Sequence, residues 1–458
     1  MHEYSAAAEI DFITSTQIQR LLKFQKKIAS LHIPLDTKNL VQAQTKNLLA
    51  LCKNATPDAA RTLQGQVAAL LASVDWQSPS FLHSTYAEAG TQEGRIVGTV
   101  NDYKRDQHFD AVDYESAFRS QYIDAPLRLP PAVFLTNSGM AAFSTIISCL
   151  HMDGAANGPI LAGNACYFQE KRVLENFFPK TLHFADETNS ENFLAAVEKL
   201  QPAVIFLDTL CNTENIEMPD LKKLIPAIAK IITRTTTLVL DNTGLGPTYQ
   251  PLADMPAIPG KLRLVVYESL LKYHQFGFDR ISAGIMWTPG LTPIKLFARR
   301  MDLGTNISDT AALSLPVPNR KLLEARMIQI GSNARFLAHE LENFISTRKT
   351  KFTGVSYPGL TPAQEKTFYG GCLVLRGAAK KPDVALYNRF IATVITEAKK
   401  QHIPLIAGSS FGFNTTRIYL TALRADTITR PFLRISAGTE SPTQIKALAE
   451  IFKKALGH

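Results

Sequence analysis

The sequence predicts an α/β protein. A large domain built on a mostly parallel sheet is followed by a smaller α+β domain and preceded by a helical segment. Three observations predict this. Between about residues 130 and 310, short apolar runs alternate with helix-length stretches, the pattern of successive βαβ units. After about 310 the pattern changes to longer helices with isolated strands, and residues from about 10 to 75 carry helical periodicity alone. The length, 458 residues, suits two or three units at roughly 100–200 residues each. The division this suggests is 1–100, 101–310 and 311–458.

In the first segment Ile18, Leu21, Leu22 and Phe24, then Leu63, Val67, Leu70 and Leu71, recur mostly three or four residues apart. In the large domain, strands are expected at 132–137, 159–163, 203–208, 236–242 and 262–269. Helices are expected at 141–152, 169–178 and 221–232, joined by right-handed crossovers. In the last segment, helices are expected at 320–345, 386–400 and 442–457, with strands at 370–377 and 432–438. Ser441 precedes the closing helix as its N-cap.

Composition narrows the class. Hydrophobic residues make up 45% and charged residues 19%, as in ordinary globular proteins and unlike disordered or collagen-like chains. No apolar run reaches the roughly 18 residues of a membrane span. The opening residues lack the basic-then-apolar order of a secretory signal. Cys52, Cys149, Cys166, Cys211 and Cys372 include no CxxC pair, which suits a reducing compartment and argues against a zinc ribbon; a cytoplasmic protein is expected. Cys166 and Cys211 are expected to pack as small hydrophobes. No His pair at ligand spacing has a third partner, so no metal is expected. The net charge of +9 is scattered, densest at Arg348, Lys349 and Lys351, with no basic stripe interleaved with aromatics. That fits a solvated surface with some anion-binding residues better than nucleic-acid recognition.

Four places carry chemistry. Ser138-Gly139-Met140 lies between a strand and a helix, where free backbone amides cradle anions. Asp241 ends an apolar strand, where open α/β sheets bind ligands. Lys272 follows another strand end, beside Ser269, where desolvation turns a lysine into a nucleophile for a carbonyl. Arg434 sits in a C-terminal strand and suits a bidentate grip on a carboxylate. Each alone has an ordinary structural explanation. An anion cup, a strand-end Asp, a strand-end Lys and a late Arg, in that order, are what a large two-domain pyridoxal-phosphate (PLP) enzyme needs.

Over about residues 100–458 the sequence resembles the Cys/Met-metabolism family of PLP enzymes, which includes cystathionine γ-synthase, the cystathionine lyases and methionine γ-lyase. Tyr103-Lys104-Arg105 is similar to the family's Tyr-x-Arg, which reaches the phosphate from a neighbouring subunit, and Glu115 follows where that region carries Glu. Ser138-Gly139-Met140-Ala141 resembles the phosphate turn. Tyr167 falls where a Tyr stacks on the cofactor ring. Asp208-Thr209-Leu210-Cys211-Asn212 resembles Glu-Thr-Pro-x-Asn, so Asn212 would face the ring hydroxyl. Asp241-Asn242-Thr243 resembles Asp-Asn-Thr, which places Asp241 at the pyridine nitrogen and Thr243 beside the cofactor. Ser269 and Lys272 resemble Ser-x-Thr-Lys, and Asp279 follows at the family spacing. Ser410-Phe411-Gly412 is similar to Ser-Leu-Gly. Arg434, Ser436, Gly438 and Glu440 resemble Arg-x-Ser-x-Gly-x-Glu.

The resemblance implies PLP fold type I (aspartate-aminotransferase-like), with a seven-stranded-type sheet and a smaller C-terminal domain. It implies PLP as a Schiff base on Lys272, with Tyr167 moving protons and Arg434 and Ser410 binding the substrate. The implied reaction is γ-elimination or γ-replacement on a C4-substituted L-amino acid: an O-activated homoserine, a sulfur amino acid or a halogenated allylglycine. An alkyne-forming elimination giving propargylglycine, a β-eliminating C–S lyase and an inactive PLP-fold binding protein are the alternatives. A homodimer or homotetramer is implied, with Tyr103 and Arg105 crossing into the neighbouring site. Leu271 in place of Thr, Thr213 in place of Pro, Asp208 in place of Glu, the altered 273–278 segment and a stretched interval between Asp241 and Lys272 mark a divergent branch.

Overall fold

The structure, a computed structural model, describes residues 3–30, 35–52, 56–73, 109–125, 130–256, 260–290, 295–361, 366–377, 383–421 and 431–457. Three helices open the chain: α1 (Ala6–Ser30), α2 (Leu35–Leu51) and α3 (Pro57–Ser73). Leu21 and Phe24, Val41 and Leu48, and Leu63, Val67 and Leu70 close an apolar core between them. Leu22, expected on that face, is exposed instead.

The seven-stranded sheet runs β1 (Ala132–Thr136), β7 (Gly284–Thr288), β6 (Leu262–Ser269), β5 (Thr236–Asp241), β4 (Val204–Asp208), β2 (Ile160–Gly163), β3 (Leu182–Ala185). Its pairings are parallel except those of β7, which runs antiparallel to both neighbours. This is the α/β architecture the sequence predicts. Helices cover both faces, so central strands are apolar on both sides and read as continuous runs; every residue of β4 is buried. The helix Leu221–Ile231 shows the matching device. Leu221, Leu224, Ile225 and Ile228 are buried at helical spacing, and Asp220 caps its start.

The second sheet has the order β10 (Ile406–Ala407), β11 (Arg417–Thr421), β12 (Phe432–Ser436), β9 (Cys372–Gly377), β8 (Phe352–Ser356). Along β12 side chains alternate between faces. Leu433 and Ile435 enter the core of this sheet. Phe432 packs with Ile216, Cys372 and Val374 on the other face, which Arg434 and Ser436 share by register. The helix Arg320–Thr347 joins the two halves: Leu323, Met327 and Ile330 belong to the large core, and Ala334, Leu337 and Leu341 to the small one.

Candidate active site

Strand register assembles the site at the C-terminal edge of the large sheet, the edge where such sheets bind ligands. Asp208 pairs with Asp241, and Asp241 with Tyr267. Gly284 lies opposite Thr136 on one side and Ser269 on the other. The Ser138–Gly139 turn, just past β1, therefore lands beside Ser269. The fit is tight: a Cβ on Gly139 would lie 2.8 Å from Ser269 Cβ, and one on Gly284 would overlap the Ser138 carbonyl. Ser138 caps the following helix, its Oγ accepting from Ala141 N at 3.0 Å. The first-turn amides of Gly139 and Met140 have no partner within that helix, which leaves a cup for an anion.

Lys272 Nζ donates to Ser410 Oγ at 2.8 Å and lies 5.2 Å from the Phe411 ring centre. Burial, reinforced by the Arg434 charge, pushes its pKa down to about 8; Asp279, Cys372 and Asp241 act in the opposite sense. Ser410 holds a left-handed backbone (φ 71°), and Gly412 (φ 87°) packs so closely on the Lys272 carbonyl that a Cβ there would overlap it. Ser410 thus meets the lysine, and the Phe411 ring centre lies within about 6 Å of both the Lys272 amine and the Arg434 guanidinium.

Asp241 Oδ1 accepts from Thr243 N at 2.8 Å, and Thr243 Oγ1 accepts from Ser269 N at 2.9 Å, which ties the two strand ends together. Burial pushes the Asp241 carboxyl up to about 6, against the hydrogen bonds from Thr243. The carboxylates of Glu170, Asp208 and Asp241 lie within 4.8 Å of one another. Burial and mutual repulsion hold the Glu170 and Asp208 carboxyls well above the usual range, and Glu170 lies in hydrogen-bond contact with Asp241. The sequence reading did not single out Glu170. Asp208 Oδ2 accepts from Tyr167 N at 3.0 Å.

Arg434 Nη1 donates to Asn212 Oδ1 at 3.1 Å, and its buried Nε has no partner among the described residues. Tyr167 is half-buried; burial raises its phenol, and both Arg434 and Asp241 act on it electrostatically. Asp279 is half-buried near Lys272 and Arg417. Lys272, Ser410, Asp241, Asn212, Arg434 and Tyr167 thus gather at one edge, with the Ser138–Met140 turn, Ser269 and Thr243 beside them. Tyr103 and Arg105 lie outside the described residues. Glu115 is a buried brace, accepting from Leu135 N at 2.7 Å and Arg300 Nη1 at 2.5 Å. His274 lies in a buried pair with Glu268 at 2.8 Å, against the rings of Phe118 and Tyr122.

Comparison with known proteins points to one family. The family model for Cys/Met metabolism PLP-dependent enzymes matches residues 74–370, more than half of the chain. The bifunctional enzyme flvA of Aspergillus flavus is 25% identical over 316 residues, 68% of this chain and 37% of that protein. Cystathionine beta-lyase of Saccharomyces cerevisiae is 30% identical over 239 residues, 50% of each chain. The chain thus spans half or less of the length of these curated relatives. In fold it is similar to cystathionine gamma synthase from Xanthomonas oryzae pv. oryzae (TM-score 0.59, 18% identity, 79% of this chain and 90% of that one). It is similarly close to a methionine gamma lyase from Micromonospora echinospora (TM-score 0.59, 18% identity, 77% and 87%). With its sheet order, its strand-end lysine and aspartate and this sequence match taken together, the chain belongs to the Cys/Met metabolism family of PLP-dependent enzymes.

Proposed function

We propose that the chain catalyses γ-elimination or γ-replacement on a C4-substituted L-amino acid, with pyridoxal phosphate carried on Lys272. The observation that carries this reading is the Lys272 amine: burial beside Arg434 favours its neutral, nucleophilic form, and Ser410 orients it. The surrounding residues fit the cofactor. The Ser138–Met140 turn and Ser269 offer a cup that excludes a Cβ. Asp241 offers a carboxylate for the pyridine nitrogen, Asn212 an amide for the ring hydroxyl, and Tyr167 a face for the ring.

When bound, the cofactor supplies an electron sink for the pair left at Cα as its proton departs. The other roles belong to side chains. Arg434, already oriented by Asn212, binds the substrate carboxylate. The Lys272 amine, once the substrate amine has taken its place, removes the Cα proton and then serves at Cβ. Tyr167 stays protonated at neutral pH and donates its proton towards the group leaving Cγ. Phe411 offers an apolar face near both Lys272 and Arg434. Tyr103 and Arg105 are proposed to reach the phosphate of a neighbouring subunit in a homodimer or homotetramer. The five unpaired cysteines support a reducing, cytoplasmic setting.

A second reading, β-elimination, is favoured by the likeness to the yeast beta-lyase. The keto acid released separates the two. O-activated homoserines should give the four-carbon 2-oxobutyrate with ammonia. Pyruvate from cystathionine, with no 2-oxobutyrate from any C4-substituted substrate, would replace the γ reading with the β one.

A further inference from the structure

Helix α1 reaches well past its own bundle. Glu9 is 4% exposed, and both its carboxylate oxygens accept from Arg326 Nη1, at 3.0 and 3.2 Å. Arg326 is 0% exposed. Its Nη2 donates to Gly412 O at 3.1 Å and to Asn414 Oδ1 at 2.6 Å. Gly277 (φ 76°), in the turn after Lys272, is pressed against the same groups, so that a Cβ there would overlap both Arg326 and Asn414. One guanidinium therefore touches the N-terminal helix, the turn after Lys272 and the loop that brings Ser410 to Lys272. Tyr4 adds a second tie: its hydroxyl donates to Thr439 Oγ1 at 3.3 Å, and Thr439 N donates to Asn414 O at 3.0 Å.

The bundle of α1, α2 and α3 closes its apolar core without Glu9. A buried ion pair is seldom the most stable filling for such a position, because desolvation of both charges offsets their attraction. Burial indeed raises the Glu9 carboxyl, and Arg326 opposes the rise. What the pair supplies is placement: a charge-assisted fork that fixes two carbonyl-bearing groups of the 410–414 loop.

We propose that α1 is a positioning element of the active site, Glu9 acting through Arg326 to hold the 410–414 loop so that Ser410 Oγ stays on the Lys272 amine. Glu9 and Arg326 are positioning residues. The proposal rests on Lys272 being the cofactor lysine, and its test separates the two claims. In the full chain carrying its cofactor, wild type, Glu9→Gln, Ser410→Ala and the double variant are compared by the pH midpoint of the cofactor–lysine absorbance band. Hydrogen exchange across 409–416 is followed in parallel.

Glu9→Gln should move the midpoint in the same direction as Ser410→Ala, by roughly half a pH unit. The double variant should match Ser410→Ala alone, because both changes remove one interaction. Exchange at 409–416 should quicken about tenfold in Glu9→Gln while strand Thr236–Asp241 keeps its protection. Should Glu9→Gln fail to fold, Arg326→Lys, which keeps the charge and loses the fork, is read in the same way. A folded Glu9→Gln protein with an unmoved midpoint, or shifts that add in the double variant, overturns the proposal. A wild type with no such band contradicts the cofactor reading instead. Exchange then decides the brace alone, and unchanged protection at 409–416 overturns it.

Discussion

The Lys272 amine has lost solvent without gaining a carboxylate at hydrogen-bond distance among the described residues. Its acceptor is a neutral hydroxyl, and its strongest charged neighbour is the like-charged Arg434. Asp241 shows the complementary case, a carboxyl raised to about 6 by burial and in hydrogen-bond contact with Glu170. A cationic ring nitrogen is the partner that would stabilise that carboxylate. The lysine yields a pH prediction. Only the neutral amine attacks a carbonyl, and its pKa is about 8. The rate at which cofactor-stripped protein recaptures pyridoxal phosphate should therefore rise about tenfold per pH unit below that value and level off above it. Stopped-flow absorbance across pH 6–9 measures this. A rate that keeps climbing to pH 9 would mean the amine is not depressed.

Elements meet at this site because β7 runs backwards between β6 and β1, which sets Gly284 against the phosphate turn. Gly284→Ala should leave the sheet folded and weaken pyridoxal phosphate binding by about tenfold or more, since the added methyl displaces the Ser138 carbonyl. Fluorescence titration reads the affinity, and unchanged binding would remove the turn from the cofactor site. The central strands were legible in the sequence because burial on both faces makes them near-continuous apolar runs. β3 was not, since His183 and Phe184 are exposed at a sheet edge. β7 was not, because it follows β6 without a crossover helix and breaks the βαβ alternation. Lys272, Asp241 and Arg434 were legible as charged residues at the ends or within the run of apolar strands. Glu170 looks like any first-turn acid, and only the fold brings it to Asp208 and Asp241. Glu9 and Arg326 stand 317 residues apart, beyond any local pattern.

Across the whole molecule, one helix, Arg320–Thr347, supplies side chains to both cores and carries Arg326 between them. Strain in either half should therefore be felt in the other. Leu337→Ala, in the small-sheet half, should lower stability by about 2–5 kcal/mol. It should also speed exchange at 323–330 as well as in β12. Exchange changes confined to the small sheet would show that the halves are uncoupled. At this scale the fold is proposed to hold pyridoxal phosphate on Lys272. This is tested most directly by the absorbance spectrum of the purified protein before and after borohydride, followed by peptide mass analysis, with Lys272→Ala alongside. A band at roughly 410–430 nm that borohydride fixes onto Lys272 and that the variant lacks is the expected result. No band after adding pyridoxal phosphate, or a label fixed on another lysine, would contradict it.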